Sequence, residues 1–162
     1  MATPLEMIRS LGNAAVQGSP HAKALGLEFV EADVGRAVLK APYREDLVGD
    51  PETGVIAGGV VTALLDHVCG QAVWAALEGY TTIATLDLRI DYMRAAEPGL
   101  PVFAEAHCYK LTRSVAFVRA TAYDRDPSDP VAAAQASFML NSNAGRKAGA
   151  NLKPRVTQEP PK

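Results

Sequence analysis

The chain has 162 residues, of which 48% are hydrophobic and 21% charged, and its formal net charge is −2. This length fits one domain of ordinary size, and the apolar fraction is that of a packed globular protein, so wholesale disorder is excluded. A nearly neutral chain lacks the basic stripe that nucleic-acid binding requires. We therefore expect no nucleic-acid partner.

The cysteines and the apolar stretches bear on the compartment. Cys69 and Cys108 are too few for a disulfide framework, so a reducing compartment is expected. Residues 1–7 lack the basic and apolar pattern of a secretory signal. The longest apolar stretch, Val55 to Leu77, carries Asp66 near its middle, and a charge at bilayer depth is costly. These features predict a soluble, cytoplasmic protein with no membrane partner.

The N-terminal residues 1–24 are predicted to form a helical segment. Thr3 followed by Pro4 is typical of an N-cap with proline at the first helical position. Apolar residues then recur at helical spacing as far as Val16, and the sequence permits a further helical turn between His21 and Leu25.

A hairpin and a loop are predicted next, followed by one long helix. Extended stretches flank Gly35, and residues 42–57 contain the prolines and glycines of a loop. The helix, Val60 to Leu77, begins after Gly58-Gly59 and ends before Gly79. Because it is apolar on nearly every side, other structure is expected to enclose it.

Four strands are predicted to follow the helix. Apolar and polar residues alternate between Thr82 and Arg94, which places Leu86 and Leu88 on the buried face of a strand and Thr85 on the opposite face. The further strands are Val102–Leu111, Val115–Tyr123 and Val131–Leu140. Alanine-rich strand faces let a helix approach closely. Residues 25–141 are thus predicted to form an α+β domain with a long central helix wrapped by a curved antiparallel sheet, and residues 142–162 a flexible basic tail.

The sequence lacks the nucleophile-elbow, phosphate-loop and dinucleotide-binding motifs. The residue that is most informative about a possible reaction is Asp66. The three histidines are scattered, so neither a metal nor a cofactor is expected. Asp66 stands among apolar residues of the predicted helix, where a carboxylate loses hydration. It is either a functional acid or a carboxylate that is hydrogen-bonded for structural reasons.

Gly58-Gly59 is the second feature, at the predicted start of the helix. First-turn amides have no intrahelical acceptor and lie at the positive end of the dipole, so the Gly58 N–H is able to polarise a carbonyl oxygen. The alternative is that the glycines only permit tight packing. Asp66 follows Gly58 by eight positions, which is about 12 Å along a helix. If both groups act on one carbonyl, they must come from two chains.

The run from Tyr43 to Asp66, together with Leu88 to Ala96, resembles the hotdog-fold acyl-CoA thioesterases of the PaaI-like (phenylacetate-degradation-type) branch. The resemblance covers about residues 25–140. It implies a hotdog fold and hydrolysis of an acyl-CoA thioester to free acid and CoA without a cofactor. It also implies a homodimer, with the dimers pairing further into a tetramer.

The resemblance assigns roles to individual residues. Asp66 matches the nucleophile or general base, and Gly58 the backbone donor to the thioester oxygen from the other subunit. Thr85 matches an assisting hydroxyl, while Asp50 lies near the position of a substrate-placing asparagine. An ionised Asp50 would either repel Asp66, which would raise the pKa of one of the two carboxyl groups, or be solvated. Ala57 departs from the family, which usually has histidine there.

The remaining candidates concern substrate binding. Gly59 would contact the substrate beside Gly58, and the CoA phosphates call for cations, for which the candidates are Arg94, Lys110 and Arg113. A catalytically silent dimer that binds acyl-CoA or an aromatic ligand is the alternative. A hydratase of the same fold ranks last, because no histidine lies between His21 and His67.

Overall fold

The computed structural model describes residues 1–141, and the predicted basic tail at 142–162 lies outside the described residues. The helices are α1 (Pro4–Leu11), α2 (Asn13–Gln17), α3 (Pro20–Leu25) and α4 (Gly58–Ala76). The strands are β1 (Glu28–Asp33), β2 (Arg36–Ala41), β3 (Val48–Asp50), β4 (Val55–Ile56), β5 (Ile83–Tyr92), β6 (Val102–Leu111), β7 (Val115–Tyr123) and β8 (Ala132–Leu140).

Six strands form one antiparallel sheet in the order β1-β2-β6-β7-β8-β5, and β3 pairs with β4 in a separate ribbon. The sheet curves around α4, which packs mainly against β2, β6 and β7. This confirms the predicted α+β architecture of a long central helix on a curved antiparallel sheet. The strand β5 is the last in the sheet and lies beside α4 at its open edge.

The core lies between α4 and the sheet. Leu64 and Leu65 are fully buried, as expected for a helix that is apolar around most of its circumference. The sheet meets it with small side chains such as Ala104 and Ala122, which are also fully buried and let the helix come close. Val16 of α2 completes this core from the N-terminal side.

The structure differs from the predicted elements in three places. The N-terminal helix is divided into α1 and α2 at Gly12, whose φ of 50° is incompatible with a continuing helix. The predicted loop contains the short ribbon of β3 and β4. The long helix begins at Gly58, two residues before the predicted Val60, and it ends at Ala76 rather than Leu77 because Leu77 is extended. Among residues 1–141, no helix is both long enough and apolar enough to cross a membrane.

Candidate active site at the central helix

Asp66 lies in the middle of α4, and its carboxylate is held by the neighbouring strand. The Thr85 hydroxyl donates a hydrogen bond to Asp66 Oδ1 at 2.9 Å. Asp66 is half-buried rather than enclosed, which corrects the sequence-based expectation. The reason is that α4 faces the edge strand β5 here, and in residues 1–141 no further strand covers that side. The carboxylate is therefore oriented but accessible.

Thr85 reaches Asp66 because β5 contains a β-bulge. Its pairing with β8 slips by one residue between Thr85 and Asp87, so Leu86 is the extra residue. A bulge reverses the alternation of side chains along a strand. Leu86 is consequently 55% exposed, whereas Leu88 packs against the core. The prediction that put Leu86 on the buried face and Thr85 on the other is wrong.

The start of α4 is open. A Cβ on Gly59 would meet nothing within 4 Å, and the atoms nearest to one on Gly58 would be those of the Tyr92 ring and hydroxyl, from 3.8 Å. The N-cap residue Ala57 makes no side-chain hydrogen bond to the first turn. Because first-turn amides have no acceptor within the helix and carry the positive end of its dipole, this end is suited to an incoming carbonyl oxygen.

Two hydroxyls anchor the first turn of α4 to the end of β5. Tyr92 donates to the Gly58 carbonyl at 2.8 Å, and Thr62 donates to the same oxygen at 3.1 Å. The two hydroxyl oxygens are 2.6 Å apart. Sequence reasoning did not include Tyr92 or Thr62 among the site residues. The available signal was the position of Tyr92 on the inward face of β5, opposite the predicted start of the helix.

Asp50 is engaged within its own turn. Its Oδ2 accepts from the Thr53 hydroxyl at 2.7 Å, and its Oδ1 accepts from the Glu52 N–H at 3.1 Å. These hydrogen bonds, the one from Thr53 first, lower the pKa of Asp50 below its usual value. Asp66 of the same chain is not among the groups that shift the pKa of Asp50.

The three basic residues predicted to contact the CoA phosphates lie in different surroundings. Arg94 forms a bidentate pair with the buried carboxylate of Asp124, at 2.6 and 2.8 Å, and also contacts Asp129. Its charge is thus committed to holding the β5–β6 connection onto the β7–β8 turn. Lys110 and Arg113 are exposed, at the end of β6 and in the turn to β7. The two exposed residues therefore remain the candidates for phosphate contacts.

The structure brings Asp66 together with Thr85 and Gly58 together with Tyr92, but it does not join these two pairs within one chain. Gly58 and Asp66 are part of the same continuous helix, which separates them by about 12 Å. His67 is half-buried, and burial lowers its pKa, so it is neutral at physiological pH. In residues 1–141, no cluster of three histidine, cysteine or acidic side chains is arranged to hold a metal.

Comparisons with known proteins show the family to which the chain belongs. The model of the thioesterase superfamily matches residues 53–131, which contain α4 and β5. A crystal structure of a Pseudomonas aeruginosa protein is 39% identical, with a TM-score of 0.73, and the match covers 84% of this chain and 98% of that one. Among curated proteins, none matches the chain. The chain belongs to the thioesterase superfamily.

Its place within that superfamily follows from further solved structures. A mutant form of the phenylacetic acid degradation protein PaaI from Thermus thermophilus is 27% identical, with a TM-score of 0.65, over 75% of this chain and 98% of that one. The Escherichia coli PaaI protein, 19% identical over 78% of this chain and 88% of its own, shares the fold with a TM-score of 0.67. The chain is a PaaI-like hotdog protein, and its superfamily supports thioester hydrolysis as its general activity.

Proposed function

We propose that the protein hydrolyses acyl-CoA thioesters at a site shared by two copies of the chain. The observation that carries the proposal is the accessible Asp66 carboxylate, oriented by Thr85, on a helix whose uncapped start is open at Gly58. The Gly58 N–H of one copy would polarise the thioester carbonyl. Asp66 of the other copy would attack the carbonyl carbon or deprotonate the attacking water.

The edge strand β5 supports pairing between two copies. It is ten residues long and lies at the end of the sheet. Such an edge presents unpaired backbone groups and is a template for another strand. Leu86 and Tyr92 are also 55% and 50% exposed along it. A second β5, antiparallel to the first, would continue the sheet and cover both side chains.

The positions of the site residues along β5 agree with such a dimer. Within one chain, Tyr92 of β5 is hydrogen-bonded to Gly58, and Thr85 of β5 is hydrogen-bonded to Asp66. These two contacts define which part of β5 lies beside each end of the site. The Gly58 end of one helix therefore faces Asp66 of the other when Tyr92 opposes Thr85 across the two strands. Because the bulged Leu86 takes up no step of the ladder, that register places the two-fold axis at Arg89, near the middle of β5. Nearly the whole strand would then be paired.

The same dimer would place cationic side chains near the phosphates of a bound CoA. The Leu140 N–H donates to the Ser114 carbonyl at 2.8 Å, and Leu140 of β8 pairs with Ile83, so the β6–β7 turn lies at the same end of the sheet as the beginning of β5. In the dimer, the beginning of one β5 lies beside the end of the other. Lys110 and Arg113 of one copy would thus approach the helix start of its partner.

Asp50 and Gly59 remain in the proposed substrate site beside that helix start. Gly59 has no side chain and leaves room above the first turn, and Asp50 stabilises the turn in front of it. Arg94 is left out of the proposed phosphate contacts, because Asp124 and Asp129 already neutralise its charge. A dimer of dimers is proposed as the full assembly.

Replacement of Asp66 tests the proposal. Asp66→Asn and Asp66→Ala are expected to lower kcat/KM for thiol release from acyl-CoA by about 100-fold or more, since an electrostatic contributor of this kind supplies roughly 3 kcal/mol. Short-chain, long-chain and aryl acyl-CoAs are the substrates. Glu31→Gln is the control, because Glu31 is an exposed acid on β1 at the opposite edge of the sheet. Wild-type hydrolysis in either Asp66 variant would refute the assignment.

A dimer that binds acyl-CoA or an aromatic ligand without turnover is the second candidate. It is favoured by Ala57, which lacks the imidazole usual in the family, and by Asp50, whose carboxylate is engaged in its own turn. Saturable binding of every acyl-CoA tested, with no thiol release from any of them, would support this candidate.

A further inference from the structure

The first turn of α4 begins with two consecutive glycines, Gly58 and Gly59. Glycine loses more backbone freedom on folding than any other residue, so a glycine pair at a helix end is prone to fray. The N-cap residue before them is Ala57, whose side chain has no polar atom with which to cap the turn. The direction of the Gly58 N–H therefore depends on contacts from outside the helix.

Two such contacts bracket that amide along the backbone. On one side, the Ala57 N–H donates to the Leu47 carbonyl at 2.9 Å. On the other side, the Tyr92 hydroxyl donates to the Gly58 carbonyl at 2.8 Å. The Gly58 N–H lies between these two anchored groups, so holding both of them fixes the orientation of the amide.

Tyr92 is a firm support because its backbone belongs to the sheet. It pairs with Ala132 of β8, which is fully buried. The next residue, Met93, donates its N–H to the Val131 carbonyl at 2.9 Å. Displacing the Tyr92 backbone would require the end of β5 to separate from β8.

Thr62 strengthens the contact between Tyr92 and the helix. Its hydroxyl oxygen is 2.6 Å from that of Tyr92 and 3.1 Å from the Gly58 carbonyl oxygen. Two hydroxyl protons thus serve three short contacts, and hydrogen bonds linked in this way polarise and strengthen one another. Thr62 belongs to α4 itself, so it is Tyr92 that ties the turn to the sheet.

We propose that Tyr92 is a positioning residue for thioester hydrolysis, whose hydroxyl holds the Gly58 N–H in the direction from which it polarises the carbonyl. This inference rests on the proposed function. In the proposed dimer, Tyr92 opposes Thr85 of the other copy, so this anchor lies at the shared site. A donor that is already aligned needs no reorganisation when charge develops on the thioester oxygen. Tyr92 acts through Gly58 rather than on the substrate.

Tyr92→Phe removes the hydroxyl and keeps the ring. We expect kcat for thiol release from acyl-CoA to fall by about tenfold and KM to change by less than about twofold, because the alignment of a donor matters most in the transition state. Tyr80→Phe is the matched control, since Tyr80 is 65% exposed and lies beyond the C-terminal end of α4. It should keep the kinetics of the wild type.

A double-mutant cycle tests whether Tyr92 acts through Gly58. Once Gly58→Ala has impaired the donor, adding Tyr92→Phe should lower kcat by less than about twofold more, because two residues that serve one function are not additive. A further tenfold loss in the double variant would show that Tyr92 acts independently of Gly58 and would overturn the proposal.

The orientation of the amide is measured without any substrate, by ¹⁵N relaxation of the full-length protein labelled at glycine. The order parameter of the Gly58 amide should be about 0.85 in the wild type and below about 0.6 in Tyr92→Phe. Gly35 is the reference amide, because it lies in the β1–β2 turn and its carbonyl accepts from the Cys108 N–H. An unchanged order parameter at Gly58 would overturn the proposal.

Asp66→Asn, assayed in parallel, separates this inference from the proposed function. If Asp66→Asn is impaired as expected while Tyr92→Phe keeps the full kcat, the proposed function stands and the role of Tyr92 is refuted. Wild-type hydrolysis by Asp66→Asn would refute the proposed function, and the role of Tyr92 in it would fall as well.

Discussion

Thr85 and Asp66 are nineteen residues apart in sequence and are joined by a hydrogen bond of 2.9 Å. The contact depends on the bulge at Leu86, because regular alternation along β5 would turn Thr85 away from the helix. The bond occupies one carboxylate oxygen and fixes the direction of the side chain. A group that must approach a thioester from a defined side benefits from such a constraint.

Thr85→Val should lower kcat for acyl-CoA hydrolysis by about tenfold, because a hydrogen bond to a charged group contributes roughly 1.5 kcal/mol or more. Valine has the same shape without the hydroxyl, so KM and the melting temperature should change little. Thr85→Ser keeps the donor and should retain most of the activity. Steady-state thiol-release kinetics on the three proteins measure the effect, and equal rates for Val and Ser would contradict this role.

Gly58→Ala should separate activity from stability. The added methyl makes only ordinary contacts with Tyr92, at 3.8 Å, so the fold accommodates it. Alanine is also the better helix former by up to about 1 kcal/mol, and the melting temperature should not fall. Hydrolysis should decrease by about tenfold or more, because the methyl crowds the approach to the N–H. Full activity with an unchanged melting temperature would rule out this amide as the carbonyl donor.

Gly49→Ala should destabilise the protein by about 1–3 kcal/mol, as overpacking does. A Cβ at Gly49 would lie 2.9 Å from the Ala57 Cα, so the backbone before α4 must move. Ala57 also donates to the Leu47 carbonyl at 2.9 Å, and displacing it shifts the helix start. Denaturant unfolding measures the loss of free energy. Gly79→Ala is the matched control, since a Cβ there meets nothing within 4 Å.

Asp124→Asn should cost about 2 kcal/mol of unfolding free energy at neutral pH, because it breaks a largely buried bidentate pair with Arg94. Hydrogen bonding from Arg94 holds the pKa of Asp124 well below its usual value. A lowered folded-state pKa gives stability that is fully present above the unfolded value, about 3.9, and is lost as pH falls below it.

The difference between wild type and Asp124→Asn should therefore narrow as the pH falls below about 4. Urea unfolding at a series of pH values checks this, with Glu31→Gln as an exposed acid for comparison. A gap that stayed constant from neutral to acidic pH would mean that the ionised pair is not the source of the stability.

The sequence by itself determined the elements and the spacing of the site. Unbroken apolar character without proline between Val60 and Leu77 predicted one enclosed helix, and alternation after Thr82 predicted strands. Both patterns arise from contacts between residues that are close in sequence, so a short stretch of sequence is enough to predict them. The distance between Gly58 and Asp66 also follows from the helix rise alone, which is why a shared site was predicted without coordinates.

Only the tertiary structure decided which side chains meet. The bulge that turns Thr85 toward Asp66, the anchoring of Gly58 by Tyr92 and the pairing of Arg94 with Asp124 all join residues at least nineteen positions apart. Such contacts depend on strand register and on the packing of one layer against another, which a local pattern of residues does not encode.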